Sequence, residues 1–426
     1  MLNLFGVIIA FVVIIFLIRK KFNFGLSLII GSLIVGVFSL QEINLIDIPK
    51  AMIEASFYSF ETNQIYTDTL ELAILMTLIY ILAKLMQETG AIKKIIESLK
   101  PIFSKGGILG VIPALYGLMP VPGGALFSAP MIDEEGEKYK LNKNQKNYLN
   151  VWFRHIWFPI YPISSAMILI CSIEFSDIEI STLILINIPA FLTSIIIGLL
   201  FLKRFLKNNH FETEKKHINK DLSGLKFLLP PIIPLLTYTV LWIFGVPQIR
   251  AFLIGIILSL FSLYFLLKIS SNEFTSLLKK SLTFRLALAI FSIMIFRQMI
   301  TVSQADILIA NLIESSNIPV ISMVVLIPLI LGILTGYNLG ATALSYPIVQ
   351  PFFPQPIDSI TLIGMTSLIF ISSLIGYLIS PIHLCNVLSS EYLKTDTTRM
   401  YRWYIPSAII ILLVQIAFVV IIITIF

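Results

Sequence analysis

Apolar stretches of about 18–25 residues recur along the whole chain, and each is long enough to cross a ~30 Å hydrocarbon layer as a helix. Lipid offers the backbone no hydrogen-bond partner, so such a chain is restricted to helices or a closed barrel. Runs of this length select helices. Full spans are expected near 2–18, 24–40, 68–90, 147–172 and 178–202, and again near 227–246, 250–268, 285–303, 361–388 and 403–426. Hydrophobic residues make up 57% of the 426 and charged residues 13%, against about a quarter charged in a soluble domain. The first stretch, Leu2–Ile18, has no basic residue before it and no small-residue cleavage site after it, so it reads as a retained helix. Cys171 and Cys385 both lie within apolar runs. They exclude a disulfide framework and any CxxC metal site, and no metal ligand set is expected.

The chain is also written twice. GGALFSAPMI (Gly123–Ile132) is echoed by LGATALSYPIV (Leu339–Val349), pairing Ser128 and Pro130 with Ser345 and Pro347 at a separation of about 217 residues. YPIS (Tyr161–Ser164) matches SPIH (Ser380–His383), IPA (Ile188–Ala190) matches IPS (Ile405–Ser407), and TGAI (Thr89–Ile92) matches SQAD (Ser303–Asp306) at nearly the same separation. Two halves with matching Gly/Pro interruptions point to a transporter whose site lies at the repeat interface.

Two segments are too short to cross. Gly106–Met119 runs into PVPGG and is followed by Gly124–Ile132 and the acidic DEEGE; Val320–Thr335 runs into GYNLG and Ala341–Phe353. Each is read as a re-entrant helical hairpin. The expected architecture is an all-α polytopic membrane protein of two inverted repeats, each with five transmembrane helices and one hairpin, about ten spans in total. Residues 1–202 form the first repeat (hairpin 106–132), 203–226 a cytoplasmic linker, and 227–426 the second repeat (hairpin 318–353).

Charge fixes the orientation. With Arg19, Lys20 and Lys21 placed inside, 26 of the 30 Lys and Arg residues fall on the cytoplasmic side; Lys50 and Arg250 fall outside, and Arg154 and Arg297 lie within spans. Both termini are therefore expected outside. The net charge of +6 then orients the chain and implies no nucleic acid.

A hairpin turning at mid-membrane presents the positive N-terminus of its second helix there. Gly123, Gly124 and Ala125 in the first hairpin, and Asn338, Gly340 and Ala341 in the second, are expected to bring backbone to a solute. The spans broken at Pro159–Pro162 and Ser380–Pro381 add freed backbone groups, which together favour a negatively charged ligand. Ser128, Ser164, Thr342, Ser345, Ser380 and Asn386 are candidate hydroxyl or amide ligands. Gly and Pro also serve close packing in membrane helices; their duplication at matching places favours a site.

Arg297 lies about 18 Å along its span from Arg285, where a cation demands a cavity, a carboxylate or a bound anion. Arg154 is a second candidate anion ligand, within reach of the cytoplasmic interface by snorkelling. His155 and His383 sit beside the two breaks and are candidates for proton coupling, with a hydrogen-bonded structural imidazole as the alternative. No HExxH, GxxxxGK(S/T) or GxSxG occurs, so no enzyme and no cofactor is expected. No carboxylate falls near mid-membrane, which disfavours a cation exchanger built on buried acids.

LMPVPGGALFSAPMIDE, NVWFRHIW and SPIHLCNVLSSEYL resemble a prokaryotic integral membrane family known as domain of unknown function 401, over essentially the whole chain. That family is grouped with the ion transporter superfamily, which includes gluconate, citrate and dicarboxylate permeases. The resemblance implies inverted repeats with hairpins, and secondary transport often of carboxylates coupled to H⁺ or Na⁺. In the dicarboxylate branch, Ser-Asn-Thr motifs at the hairpin tips bind carboxylate and sodium. The matching tips here read PGGA and YNLGAT, so Asn338 and Thr342 are the comparable side chains and the place for a sodium ion.

The chain thus reads as a secondary active transporter for a small anionic solute, an organic carboxylate, coupled to H⁺ or Na⁺. The alternatives are a cation/proton antiporter and a non-transporting membrane subunit whose polar core docks a partner. The expected partners are the solute and membrane lipid, with a homodimer left open.

Overall fold

The computed structural model describes residues 2–103, 106–119, 123–207, 221–314 and 318–425. The hairpin tip 120–122 and linker residues 208–220 lie outside them. The chain is an all-α polytopic membrane protein. Its helices are α1 (Leu2–Arg19), α2 (Phe24–Phe38), α3 (Asp47–Glu54), α4 (Asp68–Glu88), α5 (Ala91–Leu99), α6 (Ile108–Gly117), α7 (Ala125–Lys138), α8 (Lys143–His155), α9 (Ser165–Ile170) and α10 (Ile180–Lys207). There follow α11 (Leu229–Ile243), α12 (Gln248–Leu267), α13 (Ser271–Ser281), α14 (Arg285–Val302), α15 (Ala305–Glu314), α16 (Val320–Thr335), α17 (Asn338–Val349), α18 (Ser359–Ile379), α19 (Leu384–Leu393) and α20 (Tyr401–Ile425). Strands β1 (Tyr58–Ser59) and β2 (Gln64–Ile65) form an antiparallel hairpin between α3 and α4.

Eight helical stretches among the described residues are long and apolar enough to cross a membrane. The stretch built on α18 and α19 is 83% buried, while α1 is 28% and the stretch ending in α20 is 22% buried. The former is therefore the central element and the latter two are peripheral. Large apolar side chains such as Phe5, Val12 and Phe16 on α1 and Ile409 and Leu413 on α20 face outward. Such a surface is stable only against lipid or another apolar body.

Small residues let the helices approach closely, as packing without a hydrophobic driving force requires. Gly25, Gly31 and Gly36 of α2 lie against Leu288, Phe296 and Met299 of α14, so these two helices run parallel. Gly332 of α16 and Gly376 of α18 meet backbone to backbone: a Cβ on Gly376 would stand 2.1 Å from the Leu329 carbonyl oxygen. The helices of the two chain halves interlock. α2 packs on α14 and α4 on α12, α7 on α19 and α9 on α17, and α10 on α20.

The arms α6, α7, α16 and α17 hold 10, 14, 16 and 12 residues, about 15–24 Å at 1.5 Å per residue and short of a ~30 Å layer. Gly336, at φ 59°, closes α16 and turns the chain into α17; Gly123, at φ 70°, does the same ahead of α7. Both take a left-handed conformation that only glycine adopts without cost. The acidic DEEGE was expected to end the first hairpin at residue 132. It is helical instead, and α7 continues to Lys138. Salt bridges explain the extension: Lys100 and Lys138 reach Glu135 at 2.7 and 2.9 Å, and the buried Lys146 reaches Asp133 at 2.7 Å and also Glu137.

Further elements escaped the sequence reading. α3, α5, α13 and α15 are only 8 to 11 residues long, too short to register against a span-length apolar window. The expected spans 147–172 and 361–388 are each two helices with an irregular stretch between. α8 opens on a capping box in which Asn142 and Gln145 satisfy each other's backbone N–H groups, and α18 opens on Asp358, which accepts from the Thr361 N–H.

Candidate functional site

The two helix breaks form the centre of the site. α8 stops at His155, and Pro159 and Pro162 keep 156–164 irregular until Ser164 caps α9 by accepting from the Met167 N–H at 3.2 Å. α18 stops at Ile379; Ser380 and Pro381 interrupt it, and His383 stands at the N-cap of α19. Folding lays one break against the other, with the His155 and His383 rings 4.8 Å apart, centre to centre. Tyr377 packs on His383 at 4.1 Å.

Nδ1 of His155 lies 2.6 Å from the Val151 carbonyl oxygen, which can only accept. In the neutral ring Nδ1 therefore carries the proton, and Nε2 accepts from the Tyr377 hydroxyl at 3.1 Å. His383 is fully buried and neither ring nitrogen finds a hydrogen-bond partner. Buried imidazoles normally have one.

Beside the breaks lies a cavity of about 600 Å³, within the usual range for a small-molecule site. It reaches from Lys21, Asn23, Thr283 and Arg285, at the turns before α2 and α14, inward to Arg154, His155, Tyr377 and Cys385. Ser164 and Ser165 at the start of α9, Asn338 and Leu339 at the start of α17, and Leu384 and Cys385 at the start of α19 all line it. Three helix beginnings, two arginines and a lysine thus face one space. No carboxylate is among the lining residues. Such a field favours an anion.

Arg154 is 2% exposed, so it is buried in the protein and not snorkelled. Its guanidinium donates to the carbonyls of Tyr116 at 2.7 Å and Met119 at 3.2 Å, where α6 ends. It also lies over Gly124, whose Cβ, if present, would be 2.0 Å from Nη2. The residue before α7 is thereby covered by an arginine, whereas the start of α17 presents Asn338 to the cavity. Gly123 packs against Leu384 and Leu388, and Ala125 is buried.

The remaining candidates have these places. Ser128 donates to Asn150 at 2.5 Å, and the Asn150 amide reaches the Ala125 carbonyl and Ser389, tying α7 to α8 and α19. Ser345 donates to the carbonyl of Ala341 one turn back, and Ser380 to the carbonyl of Ile333 at 2.6 Å. Asn386 accepts from Ser390 at 3.3 Å. Gly340 allows close approach of Phe24 and Tyr337. Oδ1 of Asn338 and Oγ1 of Thr342, one turn apart on α17, are buried without a hydrogen-bond partner.

Arg297 does not line the cavity. Of the three partners the sequence allowed, it meets a carboxylate, Glu174 in the loop between α9 and α10, at 3.2 Å. Burial raises the Glu174 carboxyl above its usual range, and the Arg297 guanidinium pulls the other way. Both side chains are 27% exposed, so the pair is worth about 0.2–1 kcal/mol. We expect a double-mutant cycle with Arg297→Ala and Glu174→Ala to give a coupling of that size in thermal unfolding. A coupling of several kcal/mol would mean that the pair is shielded far more fully than its exposure implies.

Tyr377, Cys385, Lys21 and Arg285 were not singled out as site residues. The motif SPIHLC holds Cys385 two residues after His383, and that spacing was the available signal. Nothing local marks Tyr377, which reaches His155 from 222 residues away. No curated protein sequence matches this chain. The family model described as protein of unknown function DUF401 matches residues 1–421, both helix breaks and the cavity between them included, and the chain belongs to that family.

Proposed function

We propose that the chain is a secondary active transporter for a small organic anion, coupled to H⁺ or Na⁺, with the cavity at the two helix breaks as its solute site. The observation that carries the reading is the lining: Arg154, Arg285 and Lys21, the beginnings of α9, α17 and α19, and no carboxylate among the lining residues. A cation/proton antiporter needs acidic groups there. His155 and His383 are the candidates for a coupled proton, and the unpartnered oxygens of Asn338 and Thr342 for sodium.

The architecture we infer is two inverted repeats, α1 to α10 and α11 to α20. The element order supports it: in each half two helices are followed by a short one, a long one, a second short one, a hairpin, a broken helix and a long final helix. The packing pairs support it too, since exchanging the halves turns α2 on α14 into α12 on α4, and α7 on α19 into α17 on α9. Five crossings per half then put both termini outside and residues 203–226 in the cytoplasm. A membrane-impermeant label on a cysteine placed within 208–220 is expected to react only from the cytoplasmic side, and one near either terminus only from outside. A linker label and both terminal labels reacting from the same side would require an even number of crossings per half, and termini on opposite sides would require an odd total with unequal halves; either result would remove the inverted repeat.

Transport itself is tested with purified protein in proteoliposomes. Radiolabelled small carboxylates are offered under a proton gradient alone, a sodium gradient alone and neither. Saturable uptake driven by one gradient is expected, together with a rise in thermal midpoint on adding the same anion. Uptake of no anion under either gradient, with a stable partner protein retained through purification, would favour a docking subunit.

A further inference from the structure

We propose that His155, His383 and Cys385 form a binding site for a zinc ion at the inner end of the cavity. Their donor atoms lie within 4.8 Å of one another, and all three residues are buried. Tetrahedral zinc, with bonds of about 2.0–2.1 Å to nitrogen and 2.3 Å to sulfur, holds neighbouring donors about 3.3–3.6 Å apart. Side-chain movements of an ångström or less therefore close the site.

Two features of the cluster suit a metal. The Nδ1–H of His155 is held by the Val151 carbonyl at 2.6 Å. This is the outer hydrogen bond that metal-bound histidines usually make, and it fixes the tautomer whose Nε2 carries the lone pair that now accepts from Tyr377. His383, fully buried, has both ring nitrogens without a hydrogen-bond partner; coordination would satisfy one of them. Two imidazoles and a thiolate are a donor set that zinc favours over magnesium or calcium. The fourth position is left for water or a solute atom, because His155 and Cys385 line the cavity.

On binding, the Cys385 thiol gives up its proton to solvent as its sulfur bonds the ion, and Nε2 of His155 exchanges the Tyr377 hydroxyl for the metal. Affinity should therefore rise with pH. The proposal concerns binding alone and does not rest on the transport reading; with zinc bound, His155 and His383 would no longer offer a coupled proton, and Asn338 and Thr342 would remain as the coupling candidates.

The test uses metal-stripped, full-length protein in detergent, titrated with Zn²⁺ and separately with Co²⁺. One zinc per chain is expected, bound at least ~10-fold more weakly by Cys385→Ser and by His383→Gln. Cobalt should produce a thiolate charge-transfer absorption that Cys385→Ser abolishes and Cys171→Ser preserves. Zinc should also slow alkylation of Cys385 in the unsubstituted protein, a readout that needs no variant to fold. Any of three results overturns the site: no zinc retained by the unsubstituted protein, unchanged Cys385 alkylation with zinc present, or a cobalt absorption that survives Cys385→Ser.

Discussion

Gly376→Ala is expected to lower the stability of the folded protein by about 1–3 kcal/mol, or to prevent its accumulation, because overpacking at a close contact forces backbone to move. A Cβ there would lie 2.1 Å from the Leu329 carbonyl oxygen and 3.0 Å from the Gly332 Cα. Neither neighbour is a flexible side chain that can swing aside. α16 and α18 would have to separate at the point where α18 runs on to Tyr377 and the second break. The thermal midpoint in detergent, read by fluorescence-detected gel filtration, checks this. A midpoint unchanged from the unsubstituted protein would show that the two helices do not cross this closely.

Arg154→Lys is expected to abolish anion uptake and to weaken anion binding at least ~10-fold, although charge is conserved. The planar guanidinium donates at once to the Tyr116 and Met119 carbonyls while forming part of the cavity wall. An ammonium on a flexible stem cannot reproduce that fork. Each carbonyl left buried without its donor costs about 1–3 kcal/mol, so the end of α6 and the start of α7 should loosen as well. Binding separates the two roles. A variant that is monodisperse, less stable and still binds the anion with unchanged affinity would make Arg154 a clasp for the hairpin and move anion recognition to Arg285 and Lys21.

The sequence was most legible where the physics is local. A hairpin tip such as GYNLG interrupts an apolar run in plain view, and Ser380–Pro381 signals a break, since proline removes a donor and clashes with the preceding turn, although Pro189 and Pro406 stand inside α10 and α20. The short helices were illegible because an apolar window of span length averages over them. The extension of α7 through DEEGE was illegible for a different reason. A run of acids reads as a polar loop until Lys100 and Lys146, from elsewhere in the chain, neutralise it.

The site followed the same division. Sequence alone determined that polar, interrupted elements occur twice within an apolar chain, and it picked out Arg154, His155, Ser164 and Asn338, which line one cavity. Length, hydrophobicity and the covalent restrictions of glycine and proline act within a few residues, so they can be read without a fold. Only the tertiary structure decided which residues meet. Arg154 closes on the end of α6, Arg297 on Glu174, and His155 on Tyr377 and His383. Those partners lie from 35 to more than 200 positions apart in the chain. A buried charge or imidazole states that it needs a partner, because lipid and packed helices offer no water, but its own position does not say which distant residue the folded helices bring to it.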